Sequence, residues 1–235
     1  MSIEYDSQVG RIAAEHPLAT RVFHRYGIDY CCGGTIPLSS ACASRGLVTE
    51  EVIEEIQREQ SPTSVETTWA DAPLEDLVAH ILTAYHLPLW EEMPRLEAMA
   101  RKVLEVHQDK EPELLRELLA VYLALESELA VHMQKEERIL FPMILRGQGF
   151  LADGPIFVMR EEHDQAGRAL KRLRELTNDY EVPPRACNTW RALWHGLAAL
   201  EESLHEHIHL ENNILFPRAL GSGSPEAPLP LVRGG

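Results

Sequence analysis

The chain has no apolar run approaching the roughly 20 residues needed to cross a bilayer, and residues 1–10 lack the basic start and apolar core of a secretory signal. A soluble, cytoplasmic protein is expected. Positive charge is scarce: 22 Lys and Arg stand against 37 Asp and Glu, a formal net charge of −15. Such a surface repels phosphate backbones and anionic lipid, so neither nucleic acid nor membrane is an expected partner, and cations are the natural guests. Cysteine is sparse too. Four residues, with Cys31 and Cys32 adjacent, do not make the disulfide framework of a small secreted domain, and a reducing compartment keeps them as thiols. Alternating β-branched residues are almost missing after residue 73, which argues against sheets. Histidine is plentiful, at eleven.

At 235 residues the chain has room for a main domain and a small satellite. Short amphipathic pieces at 8–15, 19–26, 38–45 and 50–60 suggest a compact helical module over residues 1–60. In its last helix Thr49 can cap the start, and Glu50 and Glu51 complement the helix dipole. Residues 61–72, beginning Ser61-Pro62-Thr63-Ser64, are expected to be a linker. Helical patterns at 74–106, 112–145, 154–178 and 188–220 predict an all-α, antiparallel four-helix bundle over 73–220. Pro88 and Pro94 are expected to kink or split the first of these, and Pro142 and Pro217 to disturb the second and fourth. The Gly-, Pro- and Ser-rich tail 221–235 is expected to be disordered. The sequence leaves monomer and homodimer open.

An internal repeat carries the chemistry. Residues 124–142 recur at 199–217, shifted by 75, with ten of nineteen positions identical. Both copies hold His-x-x-x-Glu: His132 with Glu136, and His207 with Glu211. Residues four apart on a helix share a face, with Cβ atoms about 5–6 Å apart, close enough to share one ion. Another His lies upstream of each pair, His86 46 residues before His132 and His163 44 before His207. Four His and two Glu from four helices suffice for two metals with two His each and both carboxylates bridging, a di-iron set in type and number. The mismatches exclude competitors. His205 and His209 sit two residues either side of His207, about 200° round the helix, and align with Ala130 and Gln134; Glu137 aligns with Asn212. A ferritin-like carboxylate site needs Glu-x-x-His on two helices, and only Glu202-x-x-His205 occurs. Structural zinc prefers four ligands with Cys among them, and these six contain none.

Glu128, one turn before His132, and Glu162, directly before His163, are candidates to orient a ligand or line a path to the metals. His80 and His107 are expected on the surface or around the ligands, with His107 close enough to serve as an auxiliary ligand. Cys31 and Cys32, in Tyr30-Cys31-Cys32-Gly33-Gly34, cannot easily form an unstrained disulfide. They suit transient redox chemistry or soft-metal contact instead. Cys42 and Cys187 are expected to be structural.

Taken together, Tyr26-Gly27-Ile28-Asp29-Tyr30-Cys31-Cys32-Gly33-Gly34, the run from His132 to Pro142, Glu162-His163-Asp164 and the run from Leu210 to Pro217 resemble the repair-of-iron-centres (RIC, YtfE/ScdA) family. The resemblance covers residues 1 to about 220. It implies a ScdA-type N-terminal domain before a hemerythrin-like bundle with two non-haem irons, held by His86, His132, Glu136, His163, His207 and Glu211. It implies a stress role in recovering iron-sulfur clusters damaged by nitric oxide or oxidants, with damaged iron-sulfur proteins as partners and nitric oxide or oxygen as small ligands. Cys31 and Cys32 would assist redox or transfer. The alternative is a cytoplasmic nitric oxide binder linked to denitrification, in which no cluster is repaired. A plain oxygen carrier has no use for the Cys-Cys module. Pro88 departs from the family pattern and is expected to alter the helix beside His86.

Overall fold

The computed structural model describes residues 3–59 and 69–221; most of the expected linker at 61–72 and nearly all of the expected tail at 221–235 lie outside the described residues. Four short helices come first: α1 Val9–Glu15, α2 Ala19–Arg25, α3 Leu38–Ala43 and α4 Thr49–Glu59. They enclose a small core of their own, built on Val9, Val22, Phe23, Leu38, Val52 and Ile56. Helix α4 begins on Thr49 itself, one residue earlier than expected. Gly27, at φ +60°, ends α2 in a left-handed turn that a side chain would strain.

The bundle is made by α5 Leu74–Ile81 continuing into α6 Leu87–His107, α7 Pro112–Lys135 continuing into α8 Phe141–Leu145, α9 Asp153–Leu176, and α10 Asn188–His209 continuing into α11 Phe216–Gly221. Helix α7 packs on α6 and α9, and α10 packs on α6 and α9. Residues 108–111 alone join α6 to α7, so these two must run antiparallel. The all-α expectation is met. Inward-facing residues at helical spacing, Leu115, Leu118, Tyr122, Leu125 and Leu129 on α7 for example, fill one long core. A second cluster around Leu77, Ile81, Phe141, Ile156, Leu215 and Phe216 closes the other end.

Three of the four bundle helices widen into a π turn at the same level: Leu82–His86, Glu136–Leu140 and Leu210–Leu215. Each is followed by a proline two residues on, Pro88, Pro142 and Pro217. Proline has no N–H and its ring meets the carbonyl four residues back. A wider turn just upstream relieves both problems. The disturbance expected from Pro142 and Pro217 thus reaches back to the repeated pairs, since Glu136 opens its π turn and Glu211 is the second residue of the other. Pro94 differs: α6 runs through it unbroken. Packing against α7 and α10 holds the helix there, and Tyr122 Oη donates to the Met93 carbonyl at 2.8 Å.

After α9, Asn178, Asp179 and Tyr180 all have positive φ (49°, 56° and 59°). This left-handed turn swings Tyr180 back so that its hydroxyl donates to buried Glu201 at 2.6 Å, while Arg174 donates to the same carboxylate at 3.0 Å.

Candidate metal centre

The π turns and α9 bring six side chains to one point inside the bundle. His86 ends the first π turn, His132 and Glu136 come from the junction of α7 with its π turn, His163 from mid-α9, and His207 and Glu211 from the junction of α10 with its π turn. All six are buried, both carboxylates completely. They form two four-residue groups, His86-Glu136-His207-Glu211 and His132-Glu136-His163-Glu211, with Glu136 and Glu211 common to both. In the first, His86 Nε2 faces His207 Nε2 at 3.2 Å; in the second, His132 Nε2 faces His163 Nε2 at 3.0 Å. Glu136 points Oε2 at His86 and Oε1 at His132, both at 3.4 Å. Glu211 points Oε1 at His207 (3.0 Å) and Oε2 at His163 (3.1 Å). Each carboxylate therefore spans the two groups.

The rings are turned this way by what holds their outer nitrogens. His86 Nδ1 lies 2.9 Å from Glu137 Oε1, which also accepts from Trp90 Nε1 at 3.2 Å. His132 Nδ1 lies 2.9 Å from Glu162 Oε2, whose other oxygen pairs with Lys135. His163 Nδ1 lies 3.0 Å from Asn212 Oδ1. An acceptor at Nδ1 fixes a proton there and leaves the Nε2 lone pair for the interior. His207 is different: its Nδ1 has no hydrogen-bond partner, and Tyr85 stacks on the ring at 5.4 Å between centroids. Tyr85 precedes His86 as Glu162 precedes His163, so the two halves diverge at this position.

Two facing lone pairs need a positive charge between them. Both oxygens of Glu136 and one of Glu211 are buried without a hydrogen-bond partner, a costly arrangement that a cation removes. The spacing fits as well: nitrogens each about 2.1 Å from one ion at a right angle lie about 3.0 Å apart. Without a cation, protons take that place. Burial pulls the His132 imidazole down, but Glu136 outweighs it and the group is pushed up to about 9. Burial drives the Glu211 carboxyl upward, yet His207 and His163 hold it well below the usual carboxylate range. A divalent cation at these ligands would displace those protons.

A cavity of about 240 Å³ reaches the His132–His163 side of the centre, walled by Leu125, Leu129, Val131, Leu204 and Ile208, with Glu128, Lys135 and Glu162 among its polar residues. Glu128 is exposed, whereas Glu162 holds His132 directly. The residues that hold His86 and His163, Glu137 and Asn212, follow the two bridging glutamates in sequence. Their mismatch in the repeat hides a shared task, and the position itself was the available signal.

His205 and His209 do not face the centre. They receive the N-terminal module: Tyr30 packs edge-on against both rings, at 6.3 and 5.5 Å. Asn213 Nδ2 donates to the Tyr30 carbonyl at 3.1 Å, and Asn212 Nδ2 to the Cys31 carbonyl at 3.2 Å. Cys32 Sγ thereby comes within 3.6 Å of the His163 carbonyl oxygen. His107 is no auxiliary ligand. It lies 21 residues along the helix from His86, about 30 Å, with Nε2 3.2 Å from Cys187 Sγ. His80 stacks on Trp69, and Cys42 is buried in the module core.

Four helices presenting paired imidazoles around two shared carboxylates define a hemerythrin-type cation-binding bundle. Consistent with this, the family profile described as the hemerythrin HHE cation binding domain matches residues 77–219, and ScdA_N, a domain of unknown function, matches residues 5–60. The iron-sulfur cluster repair protein YtfE of Pectobacterium atrosepticum is 44% identical over 218 residues, covering 92% of this chain and 97% of that protein. YtfE of Escherichia coli O8 and of Shigella boydii serotype 4 are each 44% identical over 215 residues, with the same coverage. The chain belongs to the YtfE family. No helix among the described residues is long and apolar enough to cross a membrane.

Proposed function

We propose that the chain holds two iron ions through His86, His132, Glu136, His163, His207 and Glu211, and supplies iron to iron-sulfur clusters damaged by nitric oxide or oxidants. The partnerless carboxylate oxygens between two facing imidazole pairs carry this reading. Membership of a family whose relatives are iron-sulfur cluster repair proteins gives it a setting. Imidazole with carboxylate suits iron, and when bound, iron supplies redox capacity and a position open to a small ligand. His86 and His207 would hold one ion and His132 and His163 the other, with Glu136 and Glu211 common to both groups. Because Glu136 and Glu211 face both histidine pairs, they would still hold one cation after the other had left. Glu137, Glu162 and Asn212 keep three imidazoles turned inward.

In this reading residues 1–60 form the ScdA-type module, 61–72 the linker, 73–220 the bundle and 221–235 the tail. Its four free thiols suit a reducing cytoplasm. The apolar cavity favours a second activity at the same centre, binding of nitric oxide or oxygen, since a neutral diatomic passes such walls without desolvation cost. The deciding experiment loads the protein with ⁵⁷Fe and adds an iron-sulfur enzyme inactivated by nitric oxide. Label in the reactivated enzyme supports donation; nitrosyl signals on this chain without reactivation leave only the nitric oxide binder. Replacing Glu136 and Glu211 together by Ala abolishes stoichiometric iron, and iron retained at two per chain would show the ligand assignment wrong.

A further inference from the structure

Outside the bundle core, Asp29, Cys31 and Cys32 bring one carboxylate oxygen and two sulfurs close enough together to hold an ion. Cys31 Sγ lies 3.7 Å from Cys32 Sγ and 3.4 Å from Asp29 Oδ1. These are hydrogen-bond contacts of free thiols, and they also match the ligand spacing of a small ion. Two sulfurs each about 2.3 Å from a tetrahedral ion lie about 3.75 Å apart, and a sulfur and an oxygen at about 2.3 and 2.0 Å lie about 3.5 Å apart. Two edges of the triangle thus match a tetrahedral ligand set, and the third, between Cys32 and Asp29, lies within 4.8 Å.

The turn is built to keep that triangle intact. Asp29 Oδ1 accepts the backbone N–H groups of Cys31 (3.1 Å) and Cys32 (2.9 Å), which pins the carboxylate beside both thiols. A Cβ at Gly33 would stand 3.0 Å from Asp29 Oδ2, so glycine leaves the carboxylate room. Asn212 and Asn213 hold the Cys31 and Tyr30 carbonyls against the bundle. Asp29 is exposed, Cys32 half-buried and Cys31 buried, so an ion is reached from the Asp29 and Cys32 side, while Cys32 Sγ touches the His163 backbone.

We propose that Asp29, Cys31 and Cys32 form a third cation site, specific for a thiophilic divalent ion and open at its fourth position. On binding, M²⁺ replaces the two thiol protons, which leave to solvent, and forms two M–S bonds and one M–O bond. No electron is transferred. Its use as a stopping point for iron between the centre and a recipient rests on the function proposed above; the site itself does not.

Co²⁺ is the probe, added anaerobically to the full-length, metal-freed chain. Two equivalents fill the His/Glu centre without sulfur bands, and a third brings thiolate-to-cobalt charge transfer in the near ultraviolet with intense tetrahedral d–d absorption. Cys31→Ser and Cys32→Ser each lose these bands while keeping the first two equivalents, which also reports that they fold. Asp29→Asn weakens the third equivalent about tenfold or more. Cys187→Ser leaves the bands intact, although His107 faces that thiol. No charge-transfer band at excess Co²⁺, or bands that survive in Cys31→Ser and Cys32→Ser, overturns the proposal. Sulfur bands without the first two equivalents would instead sink the dinuclear reading and leave this site standing.

Discussion

Glu137 and Asn212 hold equivalent imidazoles with different charge, and Glu162 has as its counterpart a tyrosine ring that accepts nothing from His207. The two cation positions are therefore unequal in the strength with which their histidines are set. Glu162→Ala is expected to weaken metal binding by about 10–100-fold, measured by competition with a chelator. The metal-free protein should also reveal the proton standing in for a cation. His132 is held up at about 9, after burial pulling it down is outweighed by Glu136. Its contribution is full below the unfolded value near 6.5 and disappears as pH rises through about 9, on the order of 2–3 kcal/mol. Melting temperature should fall across that window in the metal-free form and stay level in the loaded form, where Nε2 holds an ion. Farther from the centre, Tyr180→Phe removes one of the donors to buried Glu201 and should cost roughly 1–3 kcal/mol in denaturant unfolding.

At the level of helices, the bundle was legible because Leu, Ala and Glu recur at helical spacing with few interruptions. The six converging residues were legible because a repeat states the same pattern twice. Glu137 and Asn212 were not, since a carboxylate and an amide look unrelated until an imidazole N–H is seen pointing at each. The π turns were also hidden: proline announces a disturbance, but only packing decides whether the helix widens, as before Pro142, or runs on, as through Pro94. Restoring the missing N–H tests this. Pro142→Ala should stabilise the metal-free protein by up to about 3 kcal/mol, yet bind metal more weakly, because Glu136 leaves its widened turn. Thermal melting with and without metal measures both effects.

For the whole molecule, the second copy of the repeat departs from the first where His205, His209, Asn212 and Asn213 receive the N-terminal module. A Cβ on Gly10 would come within 2.3 Å of Asn213 Oδ1 and 3.1 Å of the Gly34 Cα. Gly10→Ala should therefore loosen the module by about 1–3 kcal/mol, seen as faster amide hydrogen exchange at residues 30–34 with the bundle unchanged. One side chain ties that surface to the interior. Asn212 offers its oxygen to His163 Nδ1 and its nitrogen to the Cys31 carbonyl, so orienting the imidazole and seating the module demand the same rotamer. Thermodynamic reciprocity follows: whatever factor a filled metal position adds to the affinity of the module for the bundle, a seated module returns to the affinity for metal. Emptying the centre then loosens the module, and drawing the module away lowers the hold on a cation at His163.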